Sequence, residues 1–288
     1  MQQRIDELWD WDNPGDSEAR FREAAETAAS EHDRSLLLSQ VARALGLQDR
    51  SAEALAILDE LPRDANAELD VRMALERGRV LNSGGDPHAA RPLFEEALAT
   101  AEGAGLENLA VDAIHMLAIV APPDEQADLN QRAMAMAEAA GDPRARQWLA
   151  SLYNNLGWTR FDAGDLDEAL RLFELALVER QQRDQPRETG IARWAVARTL
   201  RAMGRLDDAL AAQEQLAVDN AAIGVDDPFV DEELGECLLA LGRTDEARPH
   251  FAMAASGLAA DPWLAAHEPQ RIERLRELGA IAGDAESS

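Results

Sequence analysis

A small set of side-chain types recurs in this chain at intervals of 36 to 40 residues. Arg43, Arg79 and His115 stand 36 apart. Asn154 and Trp158 are followed 40 residues later by Trp194 and Arg198, and Phe161 by Arg201. A guanidinium is a rigid fork that takes a carboxylate or phosphate through two parallel hydrogen bonds. Indole and phenyl rings add rigid apolar area, and arginine and tryptophan dominate the energetics of binding surfaces. This chemistry is recognition of an anionic, partly apolar segment, not bond-making.

Composition removes most of the alternatives. The chain has 288 residues, 28 basic against 55 acidic, for a net charge of −27. Every basic residue is arginine. Without lysine there is no phosphate-loop lysine, no Schiff base and no lysine general base. Nucleic acid is not an expected partner, because phosphate binding needs a basic stripe. The five histidines (32, 88, 115, 250, 267) have no close metal-type spacing, so neither metal nor cofactor is expected. Cys237, the single cysteine, excludes an internal disulfide and reads as a buried inert thiol. No Ser/His/Asp order stands out, and the chain is not expected to be an enzyme. No apolar run approaches ~20 residues, and the polar start Met1-Gln2-Gln3-Arg4-Ile5-Asp6-Glu7 is no signal peptide, which makes a cytoplasmic protein the default. The acidity fits genome bias, salt adaptation and solubility. Its alternative is a surface for a basic partner.

The residues that must position these side chains repeat as well. Glu168-Ala169-Leu170…Phe173…Ala176 is matched by Glu246-Ala247…Phe251…Ala254, Ala90…Phe94…Ala97, Glu53-Ala54-Leu55…Leu58…Leu61 and Asp208-Ala209-Leu210…Gln213…Leu216. Five residues before each anchor alanine stands a turn residue: Gly85, Gly164, Gly204, Gly242 or Asp49. Twelve before it stands a small residue, Ala42, Gly78, Gly157, Ala197 or Gly235, where two helices must approach closely. A divergent copy lies between Ala90 and Ala169, its turn shortened to Pro122-Pro123. Another partial copy, Ser17-Glu18-Ala19-Arg20-Phe21, follows the turn and cap signal Asn13-Pro14-Gly15-Asp16 and has no clear first helix.

This pattern resembles the tetratricopeptide repeat, most closely over Tyr153-Asn154-Asn155-Leu156-Gly157-Trp158…Ala163-Gly164-Asp165…Phe173…Ala176 and in all over residues 16–256. The resemblance, to bacterial-type stand-alone members, implies an all-α fold, a right-handed superhelical solenoid of antiparallel helix pairs. About six to seven repeats are expected over residues 1–262, the first and fourth divergent. A closing helix at 263–282, with Arg271, Glu273, Arg274, Arg276 and Glu277 on its polar face, and a disordered tail at 283–288 are expected to follow. In that family the first helix of each pair lines the concave face. This puts Arg43, Arg79, His115, Asn154, Trp158, Phe161, Trp194, Arg198 and Arg201 in the groove. No acid stands at groove positions five and nine until Glu232 and Glu236. Some members hold a peptide's C-terminal carboxylate with Lys, Asn and Arg. Asn154 and Arg198 occupy comparable positions, though the lysines are missing and the order differs.

Each of these residues also has a structural reading. The tryptophans can pack against the next repeat, the arginines can pair with neighbouring acids, and His115 can sit satisfied in the interior. The function expected first is a non-catalytic adaptor that binds a peptide or protein segment in the groove. Its alternatives are a ligand- or signal-peptide-responsive regulatory sensor and a structural or oligomerising module using Trp9, Trp11 or Trp263.

Overall fold

The computed structural model describes residues 1–63, 66–183 and 185–280. Among them the regular structure is helical throughout, and it falls into two compact units, residues 1–152 and the residues from 153 on. The first unit holds α1 (Gln2–Leu8), α2 (Pro14–Glu26), α3 (Glu31–Gly46), α4 (Ser51–Glu60), α5 (Ala67–Ser83), α6 (Pro87–Gly103), α7 (Glu107–Val120), α8 (Pro123–Ala139) and α9 (Pro143–Arg146). The boundary falls inside α10 (Leu149–Asp162). The second unit continues with α11 (Leu166–Gln182), α12 (Pro186–Ala202), α13 (Leu206–Ala222), α14 (Pro228–Ala240), α15 (Thr244–Ala260), α16 (Pro262–His267) and α17 (Pro269–Gly279). The tail expected at 283–288 lies outside the described residues.

Local sequence explains where the helices start and stop. Asp86-Pro87, Asp142-Pro143, Asp227-Pro228 and Asp261-Pro262 each place a capping carboxylate before a proline that needs no hydrogen-bond partner. Asp86 accepts the Ala89 amide at 3.0 Å. The two helices of a pair are joined by three-residue turns at 84–86, 163–165, 203–205 and 241–243, which leaves only antiparallel packing. The turn residues read from the sequence are all left-handed: Gly85, Gly164, Gly204 and Gly242 have φ between 75° and 85°, and Asp49 has φ 60°. Aspartate is among the few residues with a side chain that tolerates this conformation.

In three of the pairs the core contact is a phenyl ring laid on bare backbone. Phe94, Phe173 and Phe251 are fully buried, each sixteen residues after a glycine. A Cβ added to Gly78, Gly157 or Gly235 would lie 2.4, 2.6 or 2.8 Å from its ring. Where the small residue is alanine, the partner sixteen on is Leu58 or Gln213, which are not rings. Gln213 is fully buried, and its amide has no partner among the described residues.

Two regions differ from expectation. Residues 2–8 form a helix, α1, although only Ile5 and Leu8 are apolar there and no side chain caps it. Residues 262–279 form two helices, because Pro269 has no N–H to continue the ladder from α16. Ile272 and Leu275 of α17 are buried against the core of the second unit.

The ring contact predicts a coupled pair of substitutions. Gly235→Ala should lower stability by about 1–3 kcal/mol in urea unfolding, because the new methyl overpacks Phe251. Adding Phe251→Leu, the solution seen at Ala42 and Leu58, should cost less than the same change in the wild type. Additive costs would contradict the contact.

Candidate binding faces

In the first unit the predicted residues lie on α3, α5 and α7, the first helices of successive pairs. Arg43 and Arg79 form part of one charged chain across them. Arg43 Nη1 donates to Glu76 Oε1 at 3.1 Å. Arg79 Nη1 donates to the same oxygen at 2.5 Å, and its Nη2 to Asp112 Oδ1 at 2.5 Å. Glu76 and Asp112 are buried. Burial alone would raise the Asp112 pKa, but the Arg79 and Arg43 charges outweigh it and hold the carboxyl below its ordinary range. His115 follows on the same helix. Its ring lies 5.1 Å from that of Trp148, whose Nε1 donates to Asn108 Oδ1 at 3.0 Å. His115 Nδ1 is buried with no partner among the described residues. Burial pulls the His115 pKa down, Asp112 opposes this, and Arg79 adds to the lowering.

In the second unit the remaining predicted residues lie on α10 and α12, the first helices that precede α14. Trp158, Phe161 and Trp194 are half-buried. The Trp158 ring lies 5.4 Å from Phe161, 4.8 Å from Phe173 and 6.0 Å from Trp194. The Arg198 guanidinium lies over three of these rings, 5.2 Å from Trp194, 5.9 Å from Phe161 and 6.0 Å from Trp158. Trp194 Nε1 donates to the Phe229 carbonyl at 3.0 Å. Arg198 Nη1 donates to Glu233 Oε1 at 3.0 Å, while Arg201 binds both oxygens of that carboxylate at 2.7 and 2.9 Å. Glu233 is only 1% exposed. Asn154 Nδ2 lies 3.5 Å from Asn155 Oδ1. The two acids at groove positions, Glu232 and Glu236, are met by Arg271 and Arg274 of α17. Cys237 is buried, with its thiol pushed up to about 12 chiefly by desolvation, which leaves it unreactive at neutral pH.

A tetratricopeptide repeat family profile matches residues 149–182, and a second one matches residues 37–60 and 229–253. This is a tetratricopeptide repeat protein. No curated protein sequence matches the chain. Among solved structures it is similar to a signal-transduction ATPase with a tetratricopeptide repeat sensor from Pyrococcus horikoshii (TM-score 0.68, 14% identity), covering 93% of this chain and 42% of that one. It is similar to aspartyl phosphate phosphatase F from Bacillus subtilis (TM-score 0.63, 16% identity, 98% and 80% covered). It is also similar to a Rap protein complexed with Competence and Sporulation Factor (TM-score 0.56, 16% identity, 90% and 79% covered). At these identities the likeness is one of fold. Among the described residues no helix is long and apolar enough to cross a membrane, and no group of three or more His, Cys, Asp or Glu is placed to hold a metal.

Sequence reasoning on this tetratricopeptide chain missed the acids that meet its arginines. Arg43 reaches Glu76 and Arg79 reaches Asp112, each 33 residues on; Arg198 reaches Glu233, 35 residues on. The usable signal was an acid about one repeat after each position-nine arginine, on the next first helix. Trp148, on no repeat position that had been singled out, carried no signal at all.

His115 yields a pH prediction. Its folded pKa lies below the ordinary value of 6.5, so between the two the unfolded chain binds a proton that the folded chain refuses. The stability held by neutral His115 is complete above 6.5 and is lost as pH falls through the folded value. The urea midpoint should therefore drop as pH falls below 6.5, and His115→Gln should flatten that slope. Equal slopes would contradict it.

Proposed function

We propose that this tetratricopeptide protein is a non-catalytic adaptor. In this reading its second unit binds a segment of a partner protein across α10, α12 and α14. The observation that carries the reading is the half-buried platform of Trp158, Phe161 and Trp194 with Arg198 lying over it. Large rings on a water-facing helix surface offer apolar area that a partner's side chain can cover, and such clusters are where binding energy concentrates. The Arg198 side chain stays 32% exposed while its Nη1 donates to Glu233, so the cation keeps donor capacity beside the rings. An apolar or aromatic side chain next to a carboxylate or carbonyl oxygen would suit both groups. That oxygen belongs either to a chain terminus or to an acidic side chain, and the test separates the two. The Rap protein in complex with Competence and Sporulation Factor offers a parallel for a fold of this kind holding a ligand.

The test begins with capture of partners from the source lysate by the wild type. The fragment of each partner that binds is then mapped on peptides with free and amidated C-termini. Affinity is compared in Phe161→Ala/Arg198→Gln, a variant that leaves the Arg201 pair with Glu233 in place. Arg198→Glu is less informative, since it would set a second carboxylate against Glu233. At unchanged helicity the variant should bind the mapped peptide about 30-fold or more weakly. Unchanged affinity would remove the platform from the function. Amidation should weaken binding only if the terminal carboxylate is the partner of Arg198.

A further inference from the structure

The first-helix face of the first unit is already covered, and what covers it is the chain's own N-terminal segment. Ile5 of α1 is 1% exposed and belongs to the core cluster formed with α3 and α5. Gln2 Oε1 accepts from Arg72 Nη2 on α5. Trp9 Nε1 donates to Gln40 Oε1 on α3 at 3.1 Å. The Trp9 and Trp11 rings stack at 4.2 Å, nearly parallel, and the Arg43 guanidinium lies 5.2 Å from the centre of the Trp11 ring. The residues met are at repeat positions two, six and nine of the first helices, the side that a tetratricopeptide repeat turns toward a ligand.

This docking looks like that of a ligand, not of core. A seven-residue helix with no capping side chain does not hold in water by itself, so its helicity comes from the face beneath it. The segment is amphipathic: Ile5 points in, while Gln3, Arg4, Asp6 and Glu7 are exposed. A pocket of about 190 Å³, open to solvent, lies beside it and is lined by Ile5, Trp9, Leu75, Asp112 and Trp148 among others. Trp11 stays 58% exposed in spite of its stacking.

We infer that this face is a receptor for a short amphipathic helix bearing an aliphatic residue, a tryptophan four residues on and a second tryptophan two beyond it. Residues 2–11 occupy it as a tethered competitor, and a partner segment of the same chemistry must displace them. The inference concerns the first unit alone and is independent of the platform in the second, so either can fail without the other.

The probe is a synthetic peptide of residues 1–12, labelled at its C-terminus. The receptor is the full chain carrying Ile5→Glu/Trp9→Ala, which releases the tethered copy, with circular dichroism as the check on folding. The peptide should bind this variant, and should bind the wild type at least about ten-fold more weakly, since a short tether presents its segment at ~mM effective concentration. A peptide carrying the same two changes should bind neither. Absence of binding to the folded variant, or equal binding to variant and wild type, overturns the inference. If the variant does not fold, the wild type labelled with 5-fluorotryptophan decides the matter. Its Trp11 fluorine resonance, assigned with Trp11→Phe, should move toward the free-peptide position as unlabelled peptide rises to several times the ~mM tether concentration. A resonance that stays put makes the segment a fixed cap and overturns the inference.

Discussion

A carboxylate that water cannot reach must be met by a cation, and three such carboxylates organise the faces of this protein. Glu76, Asp112 and Glu233 each sit on a first helix, buried. Each is held by arginine from the first helix before it. Removing the cation from such a pair strands a desolvated charge, whereas the assembled pair contributes little net energy. The pairs therefore act less as glue than as a register device, because a first helix displaced along its neighbour would leave its acid unmatched. They also neutralise the face locally, so that arginines which look like an anion receptor in a linear reading spend much of their hydrogen-bonding capacity within the protein.

The geometry that allows this pairing comes from the helix pairs. A phenyl ring seated on Gly78, Gly157 or Gly235 brings the two helices of a pair closer than any residue with a Cβ would permit. Left-handed turns close four of the pairs within three residues. The repeat period that results places the next first helix 33 to 35 residues on, within reach of the arginine side chains. Short-range packing inside a pair thus decides which long-range charges can meet.

Much of this was legible in the sequence because it is periodic. The anchor alanines, the small residues opposite them and the turn at Asp49 are repeated solutions to one steric problem, and repetition is visible without a structure. The gathering of Trp158, Phe161, Trp194 and Arg198 in the second unit follows from their places on successive first helices, α10 and α12. What stayed hidden falls outside groove positions five and nine. Glu76 and Glu233 look like any of 55 acids until burial singles them out. The helix α1 carries one buried residue, Ile5, and owes its conformation to contacts with Gln40 and Arg72, far away in sequence. Trp148 reaches Asn108 and His115 from the short connection after α9, where no repeat position predicts it.

The most direct test of the central constraint is a mutant cycle around Glu233. Urea unfolding would be measured for Arg198→Ala, Arg201→Ala, the double variant, and the double variant with Glu233→Leu added. Either arginine alone still meets the carboxylate, so each single change is expected to cost on the order of 1 kcal/mol. Together they should cost about 3–5 kcal/mol, because the buried charge is then unpaired. Glu233→Leu should recover most of that loss. Additive single costs with no recovery on removing the acid would mean that the buried carboxylate does not govern the arginines.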